Sequence, residues 1–171
     1  ESAPRPLSEL IAHNQPIDKP VYELLAIFES TIDSENSFIV GGRLQLEADG
    51  STRTGYWLIT NSYVENASLT IAIGFSEDLE TVRQAQQKLE DLKIAAVGYV
   101  QPSEPVKESS DADFDSVALG QLINYYSQEP IASYPAYVIL QSGFEGELEP
   151  ITIGIRQQEI EINWLTAFYA V

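Results

Sequence analysis

The chain has 171 residues, is 44% hydrophobic, lacks Cys and Met, and sets 26 acidic residues against 9 basic ones for a formal charge of -17. That length and apolar fraction suit one domain with a real core. The charge excludes nucleic acid and anionic lipid surfaces as main partners, since both need clustered Lys and Arg, and leaves a basic partner open; the lack of Cys excludes disulfides and thiolate metal sites.

No run approaches the roughly 20 apolar residues of a membrane span. A chain that opens on Glu1 and has no Met reads as a piece of a longer protein. Residues 1–20 hold four of the nine prolines around Leu7, Leu10 and Ile11, which predicts an extended lead-in with at most a short helix. His13, the one histidine, stands in a polar, Pro-rich stretch and reads as a solvated side chain. Residues 21–32 are β-rich, 33–37 carry turn residues and 38–43 supply a partner, so a hairpin is predicted. A further turn signal follows at Asp49-Gly50.

The clearest stretch is residues 55–101. Leu69, Ile71, Ile73 and Phe75 alternate with Thr70, Ala72 and Gly74, the period of a strand buried on one face, and residues 55–60 are an antiparallel partner across a polar connection at 61–68. The period then changes: Leu79, Val82, Ala85, Leu89 and Leu92 recur at three or four residues, predicting an amphipathic helix over 78–92. Ser76 is its candidate N-cap, with Glu77, Asp78 and Glu80 in the first turn and Lys88 and Lys93 near the end. Residues 94–101 return to strand.

After Gln101 the chain is polar, acidic and Pro-bounded. Asp111, Asp113 and Asp115 form a D-x-D-x-D pattern, but Ser116 stands where a calcium loop needs Gly and Leu122 where it needs Glu, so Asp115 or Ser116 reads as the cap of a helix over 117–126. Strands are predicted at 134–143 and 150–156. The end, residues 164–171, is wholly apolar and aromatic and has two readings: a core element, or the first turns of a membrane helix with Trp164 and Tyr169 as interfacial aromatics. One His and no Cys leave hardly any means to build a Ser-His-Asp or Cys-His triad, and no nucleophile elbow, phosphate loop or H-E-x-x-H is present. A glycosidase-like carboxylate pair is available, but 26 acidic residues make a close pair a matter of chance. Together the elements predict an α+β fold, an antiparallel curved sheet or partly closed β-barrel with two or three packed helices.

Residues 38–43, Gly55-Tyr56-Trp57-Leu58-Ile59-Thr60, Ile73-Gly74-Phe75, Gly98-Tyr99-Val100-Gln101-Pro102-Ser103-Glu104-Pro105 and Asn163-Trp164-Leu165-Thr166-Ala167-Phe168-Tyr169-Ala170 follow one another in an order that resembles the surfeit locus protein one family. Its corresponding motifs are an opening strand pair, G-Y-x-x-x-T, R-G-W, G-x-L-x-P-x-E-x-P and N-x-L-x-Y-A. The resemblance implies a non-enzymatic, membrane-anchored factor for cytochrome c oxidase assembly in the respiratory chain. Residues 1–171 would be its single extracytoplasmic domain, with 1–20 as lead-in, 162–171 as the membrane-proximal end and a transmembrane helix flanking each side. Implied partners are oxidase subunits or haem-delivery proteins at the cell membrane. The resemblance also implies handling of haem a. Members with that role place a histidine beside the Asn of the closing motif, where this chain has Trp164, so no axial ligand carries over and no cofactor is expected within these residues. The family's Arg before the Gly-aromatic pair is Ile73 here.

The residues that carry the resemblance, Gly55, Tyr56, Gly74, Phe75, Pro102, Glu104, Pro105, Asn163, Trp164, Phe168 and Tyr169, are the partner-facing or membrane-proximal candidates, with no catalytic or metal residue among them. Two other functions fit the composition: a secreted or surface module binding a protein or glycan, and an acid-pair hydrolase.

Overall fold

The computed structural model describes residues 4–11, 24–102 and 133–152. Its longest element is β2, Leu25–Leu46, a single strand of 22 residues where the sequence predicts a hairpin. The turn residues form a bulge instead. Pairing with β3, Thr52–Val64, passes directly from Asp33↔Asn61 to Ser37↔Thr60, which extrudes residues 34–36 from the ladder. Side chains hold the extrusion: Asn36 Nδ2 donates to Asp33 Oδ2 at 2.7 Å, Ser37 Oγ to Ser34 O at 2.9 Å, and Ser34 donates through N and Oγ to Asp91 Oδ1 at 2.9 and 2.7 Å. Polar groups that could close a turn satisfy the bulge instead, and the strand continues.

The hairpin lies further on, at the Asp49-Gly50 signal. Leu46 pairs with Thr52, Gly50 N donates to Glu47 O at 3.0 Å, and Gly50 adopts φ 88°, a left-handed backbone that costs glycine no side-chain clash. From β3 the chain enters β4, Ala67–Ser76, through the two residues Glu65 and Asn66, so most of the predicted polar connection is strand. Glu65 has φ 53°, an unfavourable conformation for a residue with a Cβ.

Helix α2, Leu79–Gln87, is capped by Asp78 rather than Ser76: Asp78 Oδ2 accepts from Thr81 N at 3.3 Å and Thr81 Oγ1 at 2.7 Å. Ser76 lies two residues earlier, still paired with Tyr56 in the sheet, and its Oγ accepts from Asp78 N at 3.1 Å instead. The helix also stops short of the predicted end. Lys88 is its C-cap, Lys93 opens β5, Lys93–Pro102, and Leu92, the last residue of the apolar period, is 49% exposed. The final strand, β6, Ser133–Ser142, inserts between β4 and β5, parallel to the first and antiparallel to the second. Its Pro135 falls in the register jump between Ser133 and Tyr137, where a residue without an N–H is tolerated. At the other end, β1, Arg5–Pro6, lies parallel to β2 and leads into α1, Leu7–Leu10, which buries Leu7 and Leu10.

β2 gives its first part, Leu25 to Thr31, to β5 and the rest, from Thr31 onward, to β3; Thr31 pairs with both Tyr63 and Lys93. The order β2-β3-β4-β6-β5 therefore returns to β2 as a partly closed barrel, α+β as the sequence predicts, with mixed strand directions because β1 and β6 join in parallel. One core cluster draws on all five ring strands and α2, among them Phe28, Leu58, Ile71, Val82, Ala96 and Val138. A second packs on another face around Trp57, Ile59, Ala72, Phe75, Tyr137 and Ile151.

β4 is consequently buried on both faces, from Ala67 to Phe75, and not on one. Leu58 pairs with Gly74 and Ile59 with Ala72, which leaves Ile73 as an extra residue. That bulge flips the alternation, so Phe75 joins Ala72 in the second cluster while Leu69, Ile71 and Ile73 stay in the first. His13, the Asp111, Asp113 and Asp115 pattern, the helix predicted over 117–126 and the C-terminal apolar run lie outside the described residues.

Candidate functional site

Two of the candidate stretches meet in one corner of the barrel. Tyr56 pairs with Ser76 and Trp57 with Phe75, so Gly55 lies diagonally across the β3–β4 ladder from Phe75, whose ring reaches the space beside it. A Cβ on Gly55 would stand 2.7 Å from Cζ of Phe75 and 2.5 Å from the Ser76 carbonyl oxygen, closer than real contacts allow. Phe75, fully buried, thus fills the space that a side chain at position 55 would take. Gly74 makes room in the same way: its Cβ would meet Leu148 Cβ at 2.6 Å. That close approach lets residues 148–152 lie against the barrel, with Phe75 and Glu149 exchanging two backbone hydrogen bonds of 2.9 Å. Tyr56 is half-buried against the first core cluster, and Pro102 ends β5 opposite Ala136. Glu104, Pro105, Asn163, Trp164, Phe168 and Tyr169 lie outside the described residues.

The polar centre of this corner is Arg53, which the sequence reading misses. Its guanidinium sits 5.4 Å from the centroid of the Phe75 ring and forks onto Glu149, with Nη2 on Oε1 and Nη1 on Oε2 at 3.2 Å; Nε donates to Glu47, and Glu77 Oε1 is 3.4 Å from Nη1. The bonds to Glu149, then that to Glu47, raise its pKa above the ordinary arginine value, so the group stays a cation and does not act as an acid or base. What it supplies is a fixed fork for carboxylates. The available signal was scarcity, since Arg53 is one of nine cations in a chain with 26 acids. The 148–152 segment has further ties: Gln45 Nε2 donates to Pro150 O at 2.7 Å, Thr152 N to Gln45 Oε1 at 3.1 Å, and Leu46 N to Thr152 O at 3.3 Å, while Ile151 buries its side chain in the second cluster.

A few residues along β3, Trp57 is 1% exposed and carries the Arg43 guanidinium 3.9 Å above its ring, with the Tyr137 ring tilted at 6.5 Å. Its Nε1 is buried without a hydrogen-bond partner, at a cost of about 1–3 kcal/mol. Toward the β3–β4 turn the face becomes polar. Asp33 Oδ2 accepts from Asn36, Asn61 and Tyr63 at 2.7, 3.3 and 3.2 Å, and Ser68 Oγ donates to Asn61 Oδ1. Position along the face thus separates an aromatic, arginine-stacked end from a hydrogen-bonded one.

Among the described residues no three His, Cys, Asp or Glu side chains are grouped to hold a metal ion, and no helix is long and apolar enough to cross a membrane. The haem that the resemblance implies is commonly ligated by His, Met or Cys. The chain has no Met or Cys, and its single His lies outside the described residues; tyrosine, a rarer ligand of haem iron, is present among them. No protein-family model, curated protein or solved structure matches the chain.

Proposed function

We propose that this chain is the extracytoplasmic domain of a membrane-anchored cytochrome c oxidase assembly factor that acts by binding, holding an oxidase subunit or a haem-delivery partner at the membrane. The observation that carries the reading is the convergence of two separated motif stretches. Gly55-Tyr56 and Gly74-Phe75 adjoin in one corner, where each glycine admits a neighbour that a Cβ would exclude. Gly55 and Gly74, two of the residues on which the resemblance rests, are the residue type that this packing demands, as expected of motifs that preserve a shared scaffold. A third stretch, Gly98 to Pro102, lies on β5, with Gly98 against Val138 and the Ile139 carbonyl.

The test is deletion of the gene in its source organism, followed by measurement of haem a absorbance and oxidase turnover in isolated membranes. Deletion should lower both, and the full-length gene supplied in trans should restore them. Wild-type oxidase in the deletion strain overturns the reading.

A second reading, a surface module for a protein or glycan, draws on topology. The ring order, with α2 between β4 and β5 and with β4 and β6 parallel, is similar to the five-stranded Greek-key barrels that bind oligonucleotides and oligosaccharides. The charge of -17 disfavours the nucleic acid. This is analogy of fold alone, and intact oxidase together with retention of the purified chain on a glycan array would favour it.

A further inference from the structure

On the side where α2 ends, a concavity of about 380 Å³ opens between residues 85–94 and the turn after β6. Its floor is apolar, made by Ala85, Leu92, Ile94 and Phe144, and Leu92 is one of only three large apolar residues exposed among the described residues. Around the mouth stand Glu90, Glu145 and Glu147 with one cation, Lys88. Lys88 is 4.0 Å from Glu147, and both side chains are about 70% exposed, so their attraction is weak and readily exchanged for another partner. Gly143 and Gly146 complete the wall with bare backbone; Gly143 has φ 110°, and a Cβ there would stand 2.5 Å from the Ala95 carbonyl.

We propose that this groove docks a basic peptide segment, seating an apolar side chain on Leu92 and Phe144 with Lys or Arg residues on either side of it facing Glu90, Glu145 and Glu147. Charge selects the occupant. Three carboxylates outweigh one ammonium at the rim, and the -17 of the whole chain extends the same sign to long range, attracting a basic segment and repelling an acidic one. The same charge opposes a second copy of this chain as occupant. Nothing in this assignment depends on the oxidase reading.

The probe is a fluorescein-labelled peptide, Arg-Arg-Gly-Leu-Phe-Gly-Arg-Arg, titrated with the full 171-residue chain and followed by anisotropy. Controls are the same peptide with Ser-Ser at its centre and one with Glu in place of every Arg. The basic apolar peptide should bind and both controls should bind at least about tenfold more weakly. Raising salt from about 0.05 to about 0.5 M should weaken binding severalfold. Leu92→Ser should cost about fivefold, as expected when the exposed half of a leucine side chain is no longer covered, and the double variant Glu145→Lys, Glu147→Lys roughly tenfold. These side chains are exposed or half-exposed, so both variants should keep the wild-type unfolding midpoint. Amide shift changes on peptide addition should fall within residues 85–94 and 143–147. No binding, equal binding of the Ser-Ser peptide, shifts confined to other strands, or a dimer in sedimentation that buries Leu92 would each overturn the assignment.

Discussion

Replacing Gly55 with Ala tests the packing on which the candidate corner rests. Ala adds a Cβ 2.5 Å from the Ser76 carbonyl oxygen and 2.7 and 2.8 Å from Cζ and Cε2 of Phe75. The carbonyl belongs to a paired strand and the ring is fully buried, so neither can retreat without moving β4. Overpacking of this kind costs about 1–3 kcal/mol, and two obstructed directions place this site in the upper half of that range. Stiffening of the unfolded chain returns about 0.4–1 kcal/mol. A net loss of about 2 kcal/mol follows, or a fall of about 4–8 °C in Tm for a domain of this length. Equilibrium urea unfolding, followed by near-UV circular dichroism, measures it. Pairing the change with Phe75→Leu removes the ring atoms but leaves the carbonyl, so the double variant should be about 1 kcal/mol more stable than the two single losses add up to. If Gly55→Ala stays within about 0.5 kcal/mol of wild type, the corner tolerates a Cβ and the packing account of that glycine fails.

Arg53→Met should loosen the 148–152 segment, seen as roughly tenfold faster amide hydrogen exchange at Phe75 and Glu149, the two ends of its backbone bridge; unchanged exchange would show that Gln45 and Ile151 hold the segment alone. Glu65→Gly should stabilise by up to about 1 kcal/mol, because relief of about 1–2 kcal/mol of left-handed strain exceeds the entropy that glycine adds to the unfolded chain; chemical denaturation reads it, and a loss would mean that Glu65 contributes contacts outweighing its φ of 53°. The Asp91 carboxyl lies below its ordinary 3.8 because the Ser34 N–H, then the Ser34 hydroxyl, donate to it. With the folded value below the unfolded one, this stabilisation is present above the unfolded pKa and is lost as pH falls through the folded one. Asp91→Asn should therefore destabilise by a constant amount above about pH 5, with the gap closing in more acidic solution; a gap that widens on acidification contradicts the assignment.

What could be read from the sequence divides by the reach of the interactions involved. The β3–β4 hairpin was legible because Leu69, Ile71 and Ile73 carry their pattern locally. The continuity of β2 was not, since Asp33, Ser34 and Asn36 suit a turn and a bulge equally, and the choice is made by Asp91, 57 residues away. The helix cap fell to Asp78 because Ser76 ends β4 and its hydroxyl accepts from Asp78 N, two residues short of the first helical turn. Phe75 went to the unexpected face because one extra residue, Ile73, shifts the alternation. In the candidate corner, glycine and aromatic positions showed in the motif, whereas Arg53 did not, because its importance comes from Glu47, Glu77 and Glu149, gathered from three separate segments.

The two-sided use of β2 has a consequence for how the chain is made. Leu25 waits for Tyr99 and Ile71 for Val138, so a nascent chain can complete β2, β3 and β4 while the strand that seals the ring is still unsynthesised. During that interval Leu58, Leu69 and Ile71 line an unsealed apolar trough, and closure must await distant segments, which makes folding slow and a chaperone useful. Truncation before β6 should yield an aggregating species rather than a smaller stable domain.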